Sequence, residues 1–167
     1  VALCQDIAKR ANFNQLTFEQ ALAENASGQA SDVVIALHAC DTATDDAIYQ
    51  GIKTDAALIV TAPCCQHELA PQMQNAAAPL EGLLKFGLFK QRQADLVTDA
   101  ARCLLMEASG YRVKVIEFVS TDHTAKNIML AAMRSRTVDK SGARAQFEAF
   151  KKVMGFKNHH LATLLHF

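Results

Sequence analysis

The sequence predicts an α/β fold built on a mostly parallel sheet, and three observations lead to it. The runs 32–37 (Asp-Val-Val-Ile-Ala-Leu) and 56–62 (Ala-Ala-Leu-Ile-Val-Thr-Ala) are apolar without alternation, the pattern of strands buried on both faces of a parallel sheet. A helix-like stretch separates them, and strand, helix and strand together take about 30 residues, the size of a right-handed crossover between parallel strands. Two further strand-like runs, 111–120 and 127–133, stand only about seven residues apart, too few for a parallel crossover, so they pair antiparallel or lie either side of another strand.

Residues 2–11 carry Leu3, Ile7, Ala8 and Ala11 at helical spacing, with Lys9 and Arg10 at the end where cations suit the helix dipole. Asn12-Phe13-Asn14 reads as the exit, residues 16–18 as a short strand, and Ser27-Gly28-Gln29 as a loop. After the strand at 32–37, Thr42-Ala43-Thr44-Asp45-Asp46 has the chemistry of a helix start, with Thr42 or Thr44 as the cap and acids in the first turn. That helix runs to Lys53, and Pro63 stops the strand at 56–62. Residues 68–81 contain Pro71 and Pro79 and read as a loop with a turn or two of helix, a lid or substrate segment. A helix over 93–109 carries Leu96, Val97, Ala100, Leu104 and Leu105, and Gly110 is its C-cap. An amphipathic helix over 141–154 (Ala145, Phe147, Phe150, Val153) closes the series, and His159-His160 reads as a solvent-facing cap without a role.

With 167 residues the chain has the length of one domain able to bury a core. Its 17 Lys and Arg balance 17 Asp and Glu, so there is no electrostatic footprint for nucleic acid, and any grip on RNA phosphates comes largely from elsewhere. Five cysteines, two of them adjacent, make a disulfide framework a poor reading and point to a reducing, cytoplasmic setting. No apolar run approaches the roughly 18 to 20 residues that span a bilayer, and the first residues have neither the basic nor the apolar region of a signal peptide. The chain begins at Val1 rather than Met, as a piece of something longer would.

Three polar clusters follow directly on strand-like runs: Leu37-His38-Ala39-Cys40-Asp41, Ala62-Pro63-Cys64-Cys65-Gln66-His67 and Asp122-His123-Thr124-Ala125-Lys126-Asn127. If those strands neighbour one another, the clusters meet at the carboxyl rim of the sheet, where open α/β folds bind ligands. The first and third have a plain alternative: Cys40 as core filler, Asp41 and Asp45 as helix-start acids, His38 as a half-buried residue, His123 and Asn127 as turn residues, Lys126 as a solvated charge. His38, Cys40, Cys64, Cys65 and His67 are permissible zinc ligands, but adjacent cysteines do not readily share one ion and the usual two-residue gap is missing, so no metal is assigned. A Cys-His nucleophile, with His67 activating Cys64 or Cys65, would make a hydrolase, yet no G-x-S-x-G-like elbow or oxyanion arrangement accompanies it. The third reading is a cofactor pocket, with the thiols as small semi-polar walls.

The pattern L-H-A-C-D-x-A-T-D, then C-C-Q-H, then H-T-A-K-N resembles class I S-adenosylmethionine-dependent methyltransferases, in the branch called methyltransferase domain 32. There an L-H-x-C-G segment ends the fourth strand, C-C-x-H the fifth and H-T-x-K-N the sixth; the zinc-finger tRNA 2'-O-methyltransferases look similar. Asp41 stands where many members have Gly, and Gln66 where many have Tyr or His. The resemblance implies a Rossmann-like, mostly parallel sheet of order 3-2-1-4-5-7-6 with an antiparallel last strand. Residues 1–167 then form the C-terminal portion of one methyltransferase domain, lacking the first two strands. Residues 16–18, 32–37, 56–62, 111–120 and 127–133 become strands three to seven.

By that resemblance the cofactor is S-adenosylmethionine, held by Gln20 and Ala21 near the adenine and by His38, Ala39, Cys40 and Asp41 near the methionine. The catalytic set is His67, His38, Cys64 and Cys65, and Cys65, His67, His123, Lys126 and Asn127 hold the substrate. The acceptor is RNA, or a small molecule or protein, and His67 or His38 removes its proton, since imidazole titrates near neutrality. The 5-methylcytosine RNA methyltransferases are echoed loosely by Ala62-Pro63-Cys64, displaced by one strand, with covalent attack by the thiol as the implied chemistry. Alternatives from other classes are a non-catalytic methyltransferase-like module for protein contacts and the Cys-His hydrolase. By itself the 167-residue chain is expected to bind the cofactor weakly or not at all, and to expose a sheet edge beside 32–37 that invites a homodimer.

Overall fold

In the computed structural model the residues described are 1–21, 30–124 and 126–167. The predicted loop at Ser27-Gly28-Gln29 lies outside them, as does Ala125 within the third cluster. Helix α1 (Ala2–Arg10) forms as its spacing requires, with Lys9 and Arg10 in its last turn. Residues 16–18 form no strand. Their backbone bonds locally instead: the Leu16 amide donates to the Phe13 carbonyl at 3.1 Å, and the Gln5 side chain donates to the Leu16 carbonyl at 3.0 Å. An extended segment without a ladder partner gains nothing from extension.

Four strands form one sheet: β1 (Val33–Leu37), β2 (Leu58–Ala62), β3 (Tyr111–Glu117) and β4 (Ile128–Arg134), in the order β1-β2-β4-β3. β1 and β2 are parallel, with Val33 beside Leu58 and Leu37 beside Ala62. β4 runs antiparallel to both β2 and β3, so β1, β2 and β3 share one direction and β4 alone opposes it. The short link between the last two strands thus makes a hairpin, and the returning strand inserts beside β2. This is the 4-5-7-6 part of the expected order.

Helices α2 (Thr42–Lys53) and α4 (Gly87–Ala108) pack on the same face of the sheet, and α5 (Lys140–Met154) packs on α4. Val34, Ile59, Thr61, Ala132, Leu130 and Tyr111 stand on that face and meet the helices. The Tyr111 hydroxyl donates to the Ala56 carbonyl at 3.0 Å, tying β3 to the start of β2. The other face is a correction to the two-sided burial expected of 32–37: Val33, Ile35 and Leu37 are 47%, 64% and 60% exposed. All three alternate to the side that no described helix covers, so the continuous apolar run is half solvated.

Other departures have local causes. α2 is not capped by Thr42 or Thr44; Asp41 is its N-cap residue without a side-chain cap, and the Thr44 hydroxyl donates back to the Ala39 carbonyl. α4 begins at Gly87, a turn and a half before the stretch where strong apolar periodicity begins. Residues 68–84 contain two 3-10 turns (Gln72–Asn75, Ala78–Leu80) and the short helix α3 (Glu81–Leu84). They are docked rather than a free lid: Leu69 and Met73 are buried, Ala77 donates to the Val153 carbonyl, and Gln72 accepts from the Lys157 and Asn158 amides. His159 is buried at the start of α6 (His160–Leu164) rather than facing solvent, and His160 bonds Asp46 at 2.7 Å. No helix among the described residues is long and apolar enough to cross a membrane.

Candidate active site

Because Leu37 and Ala62 are register partners on parallel strands, the segments that follow them leave the sheet from one rim. Asp41 fastens the two together. Its amide donates to the Cys65 carbonyl at 3.0 Å, and its Oδ1 accepts from the amides of His67 at 2.9 Å and Glu68 at 3.3 Å. The clamp brings the Cys40 and Cys64 sulfurs to 3.2 Å, with Cys64 and Cys65 at 3.9 Å. It is held under strain: His38 and Asp41, on either side of Cys40, have φ of 59° and 53°, a region that costs a non-glycine residue on the order of 1 to 3 kcal/mol. At Asp41 a glycine would relax the backbone but could not bind the two amides, which gives the Asp at this position its physical sense.

The third cluster arrives through the β3–β4 hairpin. Lys126 donates to Gln66 Oε1 at 3.3 Å and forms an ion pair with Asp95 on α4. Beneath the rim lies a buried ionic network. Arg102, fully buried on α4, donates to Asp45 Oδ1 at 2.8 Å and Oδ2 at 3.0 Å, to Asp99 at 3.0 Å and to the Asp41 carbonyl at 2.8 Å. The other Asp99 oxygen accepts from Gln66 at 3.0 Å. Asp41, Gln66 and Lys126, one from each cluster, are therefore joined through Arg102 and Asp99. Burial pushes the Asp99 carboxyl up from its ordinary range, with Arg102 opposing the shift. A cavity of about 370 Å³ opens between α4, the end of β2 and the hairpin, lined by Pro63, Gln66, Asp95, Asp99 and Lys126 among others. It is mixed in character, with carboxylates, an ammonium and an amide over apolar walls, as an orienting ligand pocket requires.

Of the predicted site residues, Ala39, Cys40, Asp41, Cys64, Cys65 and Lys126 gather at this rim. Asn127 is buried, and its side chain donates to the Val119 carbonyl at 2.8 Å, so it shapes the hairpin. His38 and His67 are exposed at the rim, and the His67 ring makes no hydrogen bond to a thiol among the described residues. His123 is exposed in the hairpin turn, its amide bonded to the Ser120 carbonyl. Gln20 and Ala21 are exposed, and no hydrogen bond joins them to the His38–Asp41 segment among the described residues. Hydrogen bonding to Cys65 and Cys64 pushes the Cys40 thiol up to about 12, the opposite of an activated nucleophile.

Asp95, Asp99 and Arg102 were not read as site residues from the sequence, nor was Asp45 beyond its place in the first helical turn. The signal was present: Asp95, Asp99 and Arg102 are spaced four and three apart on a helix and so share one stripe, charged where the neighbouring Val97, Ala101 and Leu105 are core. A second group, buried Asp45 and His159 with half-buried Glu68, adjoins the same network. Burial lowers His159 to about 4 and raises Glu68.

No curated protein and no solved structure matches the chain. Residues 1–72 match a family model described as a methyltransferase domain, a span that holds both the His38–Asp41 and Cys64–His67 segments. Over that span, which contains two of the three rim clusters, the chain is similar to a methyltransferase domain.

Proposed function

We propose that this chain is the C-terminal portion of an S-adenosylmethionine-dependent methyltransferase acting on RNA. The observation that carries the reading is the meeting of the three clusters, through Asp41, Arg102, Asp99, Gln66 and Lys126, at one rim of a sheet ordered β1-β2-β4-β3. The similarity of residues 1–72 to a methyltransferase domain supports it. So does the uncovered apolar face of β1, which further chain of the same domain would bury.

The described residues fit the donor on one side. The rim segment His38–Asp41 is held in a strained shape and is tied through Arg102 and Asp99 to Gln66, which lines the cavity. When bound, the donor supplies an electrophilic methyl on a sulfonium. What the chain does is align the acceptor and shield it: Asp41 fixes the spacing of the two rim segments, and Lys126, donating to Gln66 Oε1, sets an ammonium on the cavity wall. His67 and His38, both exposed at the rim, are the groups able to take a proton there.

The test uses the full-length natural protein. Calorimetry with S-adenosylhomocysteine is expected to show one site, and methyl-labelled donor is expected to mark RNA in a manner that Lys126→Ala and His67→Ala reduce at unchanged fold. Absence of donor binding would instead favour the non-catalytic module, for which the open β1 face is the relevant observation. Label in protein or a small molecule, with none in RNA, would keep the methyltransferase and discard the RNA acceptor.

A further inference from the structure

Zinc was set aside on the spacing of the cysteines along the chain, but the fold supplies what that spacing lacks. Cys64 and Cys65 follow the end of β2, and Cys40 reaches the same point from beyond the end of the neighbouring parallel strand. The three sulfurs all lie within 4.8 Å of one another, two of the separations being 3.2 and 3.9 Å. Zinc–thiolate bonds of about 2.3 Å at a tetrahedral angle place sulfurs about 3.8 Å apart, so one ion fits among the three once Cys40 and Cys64 draw apart by about 0.6 Å.

We propose that the thiols of Cys40, Cys64 and Cys65 form a site for a single zinc ion, leaving the fourth coordination position to water or an incoming ligand. The ligand type selects the ion: thiolates suit thiophilic cations, not calcium or magnesium. The surroundings hold the geometry before any ion arrives. Asp41, next to Cys40, bonds the Cys65 carbonyl through its amide and the His67 and Glu68 amides through its carboxylate, while Arg102 holds the Asp41 carbonyl at 2.8 Å. Outer partners of this kind orient ligands and tune affinity. The positive φ values at His38 and Asp41 bracket Cys40 and turn it toward the β2 end, strain that the Asp41 clamp sustains. Cys4 and Cys103, the remaining cysteines, take no part in the cluster. On binding, three S–H bonds break, three Zn–S bonds form and three protons go to solvent, with no change of oxidation state. Pro63 and Gln66, which flank the cysteine pair, line the adjoining cavity, so the ion and any molecule in that cavity share one strand end. The proposal does not rest on methyl transfer and is read by the metal itself.

Reduced, chelator-treated protein titrated with Co2+ is expected to develop a near-ultraviolet thiolate-to-cobalt band of three-thiolate intensity. One equivalent of Zn2+ is expected to displace it. Cys40→Ser, Cys64→Ser and Cys65→Ser are each expected to cut that band by about a third and weaken Zn2+ binding roughly tenfold or more, while Cys103→Ser leaves both unchanged. Circular dichroism of each variant separates loss of a ligand from loss of fold, and the wild-type band needs no variant at all. A wild-type titration with no thiolate band, or Zn2+ affinity unchanged by Cys40→Ser, would overturn the site. So would a Cys40–Cys64 disulfide that survives reductant and blocks uptake, which would assign the pair to redox chemistry instead.

Discussion

Arg102 shows how much of this molecule hangs on single side chains. Its guanidinium is fully buried and bonded to Asp45, Asp99 and the Asp41 carbonyl, so removing it strands two carboxylates in the interior. Arg102→Ala is expected to cost about 3 to 5 kcal/mol in urea unfolding, and Arg102→Lys to recover little, because an ammonium cannot reproduce the forked contacts. His159 offers a test by pH. Burial holds its folded value near 4 against an ordinary 6.5, so the folded state excludes the proton that the unfolded chain accepts. The stability it contributes is complete above pH 6.5 and is lost as pH falls toward 4, a loss on the order of 3 kcal/mol. Unfolding midpoints measured across that window are expected to fall more steeply in the wild type than in His159→Leu, which has no proton to exclude; equal slopes would refute the assignment. Neither residue announced itself in the sequence, since a lone Arg and a His pair near the end look like surface groups until burial is known.

The elements themselves were largely legible. β1, α2, β2, the β3–β4 pair and α5 sit where apolar periodicity, Pro63 and Gly110 put them, because those signals act over a few neighbouring residues. The strand expected at 16–18 does not form, since a strand needs a partner and the three residues Leu16-Thr17-Phe18 cannot reveal whether one exists. α2 meets β2 closely at Gly51, where an added Cβ would lie 2.7 Å from the Ile59 side chain. Gly51→Ala is therefore expected to destabilise by about 1 to 3 kcal/mol through overpacking, despite the better helix propensity of alanine, and thermal unfolding measures it. An unchanged or raised melting temperature would show that α2 can shift away from the sheet.

Seen whole, the molecule covers one face of its sheet and leaves the other open at Val33, Ile35 and Leu37, on a strand with no described neighbour along its outer edge. Such a surface invites association. Light scattering of the 167-residue chain is expected to give more than the mass of one copy, and Ile35→Lys to return it to a monomer with little loss of stability, since the side chain is 64% exposed; a strict monomer in the wild type would remove the expectation. Local sequence determined most of the strands and helices, and that three polar clusters each follow a strand, because turn chemistry and periodicity are carried by adjacent residues. Only the tertiary structure decided that β4 enters between β2 and β3, that the described residues leave one face of β1 bare, and that Cys40 meets Cys64 while Arg102 joins the clusters from below. Those outcomes depend on which elements become neighbours, and contacts between residues distant in the chain are set by packing, not by any local signal.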